Sequence, residues 1–218
     1  MKFKAVVFDM DGLLIDSESI ALAVSIEACR EYGYKLDISV YNRCIGANDA
    51  LAREILTAGH GSDFPYDLIS KLFEEKYYKE VLNKPVPLKT GVLDLLKYLE
   101  KERVKKAVAT STNHSLAVKE LTNAKINRYF DFVLGGDQIS KGKPNPEMYL
   151  TVCERLREKP GDCLALEDSD NGVISAFEAG LTVIQIPDLV EPSVKVKVLG
   201  HKVMQSLEEV LALLEYGV

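Results

Sequence analysis

The chain has 218 residues, 47% hydrophobic and 28% charged, with a net charge of −6 and a pI near 5.2. That is ample for a packed core, in one large domain or one domain with an insertion. An acidic balance with no basic cluster interleaved with aromatics argues against a nucleic-acid partner, and no apolar run approaches the ~18 residues that a membrane span needs.

In chain order, Met1–Lys4 leads into the apolar run Ala5-Val6-Val7-Phe8, which reads as a buried parallel strand rather than a signal peptide. Asp16 and Ser17 are both plausible caps for a helix over 18–32, closed by Gly33. Helical patterns follow over 48–58 and 66–82, broken by Gly59-His60-Gly61, with no strand signal before Lys84-Pro85-Val86-Pro87. The rhythm then alternates. Helices are expected over 91–101, 115–124, 146–157, 171–179 and 207–215, and strands over 106–110, 132–134, 163–167 and 182–186. Strands separated by helices pair in parallel through right-handed crossovers, and the first strand belongs with them. The expected fold is therefore α/β with a parallel sheet. A core of residues 1–16 and 85–218 carries an all-helical insertion over 17–84, and a helical module beside a reactive site is a candidate lid. Cys29, Cys44, Cys153 and Cys163 are scattered without a CxxC pair, which reads as free thiols in a reducing cytosol. His60, His114 and His201 lack ligand-like spacing and read as surface or loop residues.

Four strand ends carry the chemistry. Asp9 and Asp11 follow the first strand, and two carboxylates this close repel unless a cation sits between them. A hard divalent ion such as Mg²⁺ is the natural partner. The second strand ends in Thr110-Ser111-Thr112-Asn113, hydroxyls and amides that suit an anion or simply cap a helix. Lys143, between Gly142 and Pro144-Asn145-Pro146, offers a point charge on an extended loop. The fourth strand ends in Glu167-Asp168-Ser169, a second acidic pair. Each feature has an ordinary structural explanation. Together, at one edge of one sheet, they supply a nucleophile, a metal site and positive charge for phosphoryl oxygens.

The ordered set Asp9-Met10-Asp11-Gly12, Thr110-Ser111, Lys143-Pro144-Asn145-Pro146 and Glu167-Asp168-Ser169 resembles the four motifs of the haloacid dehalogenase superfamily. The helical insertion resembles the cap of its beta-phosphoglucomutase-like subfamily. The resemblance implies a Rossmann-like three-layer sandwich and a requirement for Mg²⁺. It implies Asp9 as the nucleophile that forms an aspartyl-phosphate, and Asp11 as the acid for the leaving oxygen and then the base for water. Metal ligands would be Asp9, Asp11 through its backbone carbonyl, and Asp168, with Glu167 supporting them. Phosphate ligands would be Thr110, the Ser111 amide and Lys143.

An acid at Asp11 argues against dehalogenation, because a departing halide needs no proton. The mutases of this family carry a cap histidine and a cap arginine, and the matching positions hold Ala21 and Asp49. The expected activity is hydrolysis of a small phosphorylated metabolite, a sugar or polyol phosphate. A phosphomutase and a non-catalytic phosphate-binding protein are the alternatives. Ile45, Gly46, Ala47, Asn48 and Asp49 are expected to form the cap's specificity loop, in a cytoplasmic monomer.

Overall fold

A computed structural model describes residues 3–47 and 49–217. Strand β1 (Ala5–Phe8) leads through a short loop into four helices: α1 (Ser17–Glu31), α2 (Ile38–Tyr41), α3 (Asp49–His60) and α4 (Tyr66–Asn83). The alternating part follows: α5 (Val92–Lys101), β2 (Lys105–Ala109), α6 (His114–Asn123), β3 (Phe132–Leu134), α7 (Glu147–Leu156), β4 (Cys163–Glu167), α8 (Asp170–Glu178), β5 (Thr182–Gln185), α9 (Val194–Lys197), β6 (Lys202–Val203) and α10 (Leu207–Tyr216). All six strands are parallel, in the order β3-β2-β1-β4-β5-β6. Every predicted strand is present, and β6 is added. It has two exposed residues at the sheet edge, too short to leave an apolar period.

Side chains alternate across the pleat and sort into two cores. Val6 and Phe8 of β1 face one layer with Val108, Leu164 and Leu166, packed under α5, α6 and α10. Ala5 and Val7 face the other with Ala107 and Ala165, packed against α7 and α8. The result is an α/β Rossmann-like sandwich of three layers. No helix among the described residues is long and apolar enough to cross a membrane, and all four cysteines are free.

A third apolar cluster, around Ala28, Leu36, Tyr41, Phe64 and Ile69, lies wholly within the helical segment. Lys76 of α4 pairs with Glu27 and Glu31 of α1 at 2.7 and 2.8 Å. Helix α3 runs two residues further than the glycines predict. A Cβ on Gly59 would lie 2.4 Å from a Val40 methyl, so this glycine lets α2 pack against α3 instead of ending the helix. The break comes at Gly61, where φ is +101°. His60 is a packed residue rather than a surface one. Its Nε2 accepts the Asp37 N–H at 3.0 Å and its ring stacks on Phe64.

The segment leaves and rejoins the sheet at one place. Asp16 N–H donates to the Pro87 carbonyl and Lys89 N–H to the Leu14 carbonyl, with Ile15 and Leu88 bridged antiparallel. Gly91 follows with φ +85°, and a Cβ there would stand 2.5 Å from the Glu208 backbone nitrogen. Gly91→Ala is expected to destabilise the chain by roughly 2 kcal/mol or more, from left-handed strain and overpacking, read as a lowered urea midpoint with an unchanged slope.

Candidate active site

The sheet order places β1 beside β4, the point where crossovers leave in opposite directions and a crevice opens above the carboxyl ends of the strands. Asp9 N–H donates to the Leu166 carbonyl at 2.9 Å, which sets Asp9 next to Glu167 and Asp168. Carboxylate oxygens of Asp9, Glu167 and Asp168 lie within 4.8 Å of one another, and all three residues are buried. Gly12 turns the chain away at φ +76°, and a Cβ there would be 2.6 Å from Asp168 Oδ2. Glycine is thus required twice over, by conformation and by space.

Lys143 is 1% exposed. Its ammonium donates to Asp9 Oδ1 at 2.5 Å, Glu167 Oε1 at 2.6 Å and the Ala109 carbonyl at 3.0 Å, so all three of its protons are used. Glu167 is fully engaged as well. Tyr149 donates to Oε1 at 2.6 Å, and the Ser169 hydroxyl donates to Oε2 at 3.2 Å. A Cβ on Gly172 would lie 1.9 Å from that carboxyl group, so α8 approaches Glu167 through a glycine.

Asp11 is held differently. Ser17 Oγ donates to its Oδ1 at 2.6 Å, and Thr110 and Thr112 hydroxyls donate to Oδ2 at 3.0 and 2.8 Å. Ser17 therefore serves Asp11 rather than capping α1, and Asp16 at the cap position makes no side-chain capping bond. Thr110 has its hydroxyl on Asp11 and accepts the Thr112 N–H. Ser111 Oγ is buried without a partner, and Asn113, not a hydroxyl, caps α6.

Burial pushes the Asp9 and Asp168 carboxyls well above the usual carboxylate range, their acidic neighbours push further, and Lys143 opposes this. Three buried acids with one lysine among them fit a divalent cation with oxygen ligands. Since Lys143, Tyr149 and Ser169 occupy the Glu167 carboxylate, Asp9 and Asp168 are the better placed to ligate.

A cavity of about 420 Å³ opens above Asp9, Asp11 and Asp168. Ile45, Gly46, Ala47 and Asp49 line it from the helical segment, while Asn48 lies outside the described residues. Gly46 (φ +71°) rests on the sheet side of the site, where a Cβ would meet Ser169 Oγ at 2.4 Å. The segment is therefore down against the site. Tyr77 of α4 donates to Glu120 of α6 at 3.0 Å, a second link between segment and core, and Glu120 Oε2 is buried without a partner. Glu120, Tyr149, Ser17 and Thr112 escape sequence reading as site residues. Only the hydroxyl run 110–112 hints at one of them, since Ser17 reads as a helix cap and Glu120 and Tyr149 sit in ordinary helical patterns.

A parallel sheet with acids, hydroxyls and a buried lysine gathered at its switch point defines a phosphoryl-transfer hydrolase. Residues 6–186 match the haloacid dehalogenase-like hydrolase family, and the chain belongs to it. It is 33% identical over 215 residues to a phosphorylated carbohydrates phosphatase of Thermotoga maritima, covering 98% of this chain and 91% of the relative. It is 31% identical to validoxylamine A 7'-phosphate phosphatase of Streptomyces hygroscopicus subsp. limoneus, covering 82% and 83%. The fold is shared with the crystal structure of beta-phosphoglucomutase from Clostridium difficile, with a TM-score of 0.79 at 18% identity over 95% and 93% of the two chains. Family and relatives together make the chain a phosphoric monoester hydrolase.

Burial, with the Asp11 charge adding to it, pushes the Glu120 carboxyl from about 4.5 up to about 8, against the pull of the Tyr77 hydrogen bond. Between those values the folded chain holds a proton that the unfolded chain releases, so this group's contribution is full at low pH and is lost as pH rises through about 8. Glu120→Gln keeps an acceptor for Tyr77 and removes the titration. It is expected to cut the loss of stability between about pH 6 and about pH 9 by roughly 2 kcal/mol, measured by urea unfolding across that range.

Proposed function

We propose that the protein is a Mg²⁺-dependent phosphatase that hydrolyses a small phosphorylated metabolite, a sugar or polyol phosphate, through an aspartyl-phosphate on Asp9. Residues 1–16 and 85–218 are read as the catalytic core and 17–84 as its cap. The observation that carries the reading is the unequal treatment of the two loop acids. Asp9 lies among Lys143, Glu167 and Asp168, whereas the Asp11 carboxylate hangs on three hydroxyls above them.

In this reading Asp9 attacks phosphorus, in line with the departing alkoxide. Lys143 neutralises charge at Asp9 and on the phosphoryl group, and the Ser111 amide binds phosphoryl oxygens, joined by Thr110 once its hydroxyl leaves Asp11. Asp11 donates a proton to the leaving oxygen and takes one from the water that hydrolyses the intermediate. The hydroxyls of Ser17, Thr110 and Thr112 hold Asp11 until a substrate competes for it. Asp9, Asp168 and the Asp11 carbonyl would hold Mg²⁺, which supplies positive charge to the phosphoryl oxygens. Glu167 orients Lys143. With the segment closed, Gly46 against Ser169 and Tyr77 on Glu120 limit the access of bulk water.

Water is favoured as the acceptor over a second sugar because Ala21 and Asp49 both line the cavity. Alanine cannot exchange a proton with a sugar hydroxyl, and a carboxylate repels a second phosphate.

Asp9→Asn is expected to reduce Mg²⁺-dependent turnover of p-nitrophenyl phosphate by ~10³-fold or more. Asp11→Asn should lose less with this substrate, whose phenolate leaves readily, than with an alkyl phosphate; equal losses on both would remove the acid role. Chelation with EDTA should abolish activity and added Mg²⁺ restore it. Formation of glucose 6-phosphate from β-glucose 1-phosphate with a bisphosphate primer would overturn the choice of water as acceptor.

A further inference from the structure

The helical segment has a core built around a hole. Six of the seven buried residues of its apolar cluster, Cys29, Leu36, Tyr41, Phe64, Tyr66 and Ile69, line a cavity of about 240 Å³. Protein interiors pack as densely as organic crystals, with few voids larger than one water. An apolar cavity of about 150 Å³ already stays dry and takes a benzene ring. This one has room for more, and its wall gives water little to bind. Among the described residues, Asp49 and Glu74 are the only charged ones that line it, and no buried side-chain polar atom left without a partner lies on it. Asp49 accepts the Tyr66 hydroxyl at 2.7 Å, which ties that carboxylate to the wall.

The hole adjoins the crevice. Tyr41, Cys44, Ala47, Asp49, Phe73 and Glu74 line both this inner cavity and the one above Asp9, Asp11 and Asp168. Both acids therefore belong to the shared boundary. The residues that line the inner cavity alone, Leu36, Ala52, Leu56, Phe64 and Ile69 among them, carry no charge. Phe73 at the boundary is stacked on Tyr77, 5.4 Å between centroids, which gives the passage a fixed aromatic side. A substrate with its phosphate at Asp9 has its alcohol portion between the sheet and the segment. A group that extends from that alcohol meets the boundary, and an apolar one gains by leaving water for the cavity beyond it.

We propose that the inner cavity is an accessory subsite for the substrate's alcohol portion, which receives an apolar group such as one aromatic ring or a short alkyl chain. On the phosphatase reading, on which this inference rests, the preferred substrates are sugar or polyol phosphates that carry such a group, as an alkyl or aryl glycoside does, rather than bare sugar phosphates.

The test follows kcat/KM with chain length in two series, at neutral pH with Mg²⁺. One is methyl, butyl and hexyl β-glucoside 6-phosphate, in which the leaving oxygen is the same throughout. The other is ethyl, butyl and hexyl phosphate. In at least one series kcat/KM is expected to rise by about fourfold for each methylene that enters the cavity, and by roughly tenfold or more from the shortest member to the longest. Ala52→Leu and Leu56→Phe fill the cavity from α3 at positions that do not line the crevice. In either variant the ratio of longest to shortest should fall toward one, and because it is internal to each variant, a general loss of folded enzyme does not move it. Turnover with no rise in either series would overturn the inference and leave the phosphatase reading standing. So would a rise that survives both substitutions, or turnover of p-nitrophenyl phosphate with none of either series. Failure to turn over all six compounds and p-nitrophenyl phosphate would instead remove the phosphatase reading, and this inference with it.

Discussion

One buried ammonium organises this site. Lys143 reaches from the loop before α7 and donates to groups at the ends of three adjacent strands: Ala109 of β2, Asp9 after β1 and Glu167 of β4. Burying that many charges costs several kcal/mol per ion unless partners and geometry offset it. Here every proton of the ammonium has an acceptor, and Tyr149 and Ser169 satisfy the rest of Glu167. The arrangement is all or nothing. Without the lysine, two carboxylates would remain buried and unpaired, so the same contact that shapes the chemistry also commits the fold to it.

Around that centre the glycines are clearances. Gly12 admits Asp168, Gly172 admits Glu167, and Gly46 brings the helical segment down onto Ser169. A side chain at any of them would push an acid or the segment out of place. The hydroxyls act in the opposite sense: Ser17, Thr110 and Thr112 hold the Asp11 carboxylate apart from the buried acids and the ion pair beside it. Two identical side chains two residues apart thereby take different electrostatic surroundings from one short loop.

Much of this is legible in the sequence, for reasons that can be named. Strands such as Ala5–Phe8 and Cys163–Glu167 are fully buried, so each is an uninterrupted apolar run ending in acids, and the switch point follows from their order. The motif residues converge because strand ends converge. What the sequence hides depends on which helix face meets which neighbour. Tyr149 and Glu120 occupy unremarkable helical positions, and only tertiary packing turns one toward Glu167 and the other toward Tyr77. Gly59 is an apparent helix breaker because the sequence cannot show Val40 waiting against it. The short α2, α9 and β6 lack the length over which any periodicity can be measured.

The paired backbone at Leu14–Asp16 and Pro87–Lys89 has one more consequence. Because the chain departs and returns through the same doorway, the span between the two crossings is topologically free. Its length can grow, shrink or be exchanged with little entropic penalty to the sheet, since the loop ends are already held together. The sheet and the helical span above it can therefore diversify at different rates. A lineage could retain one sheet while exchanging the helices that cover its crevice.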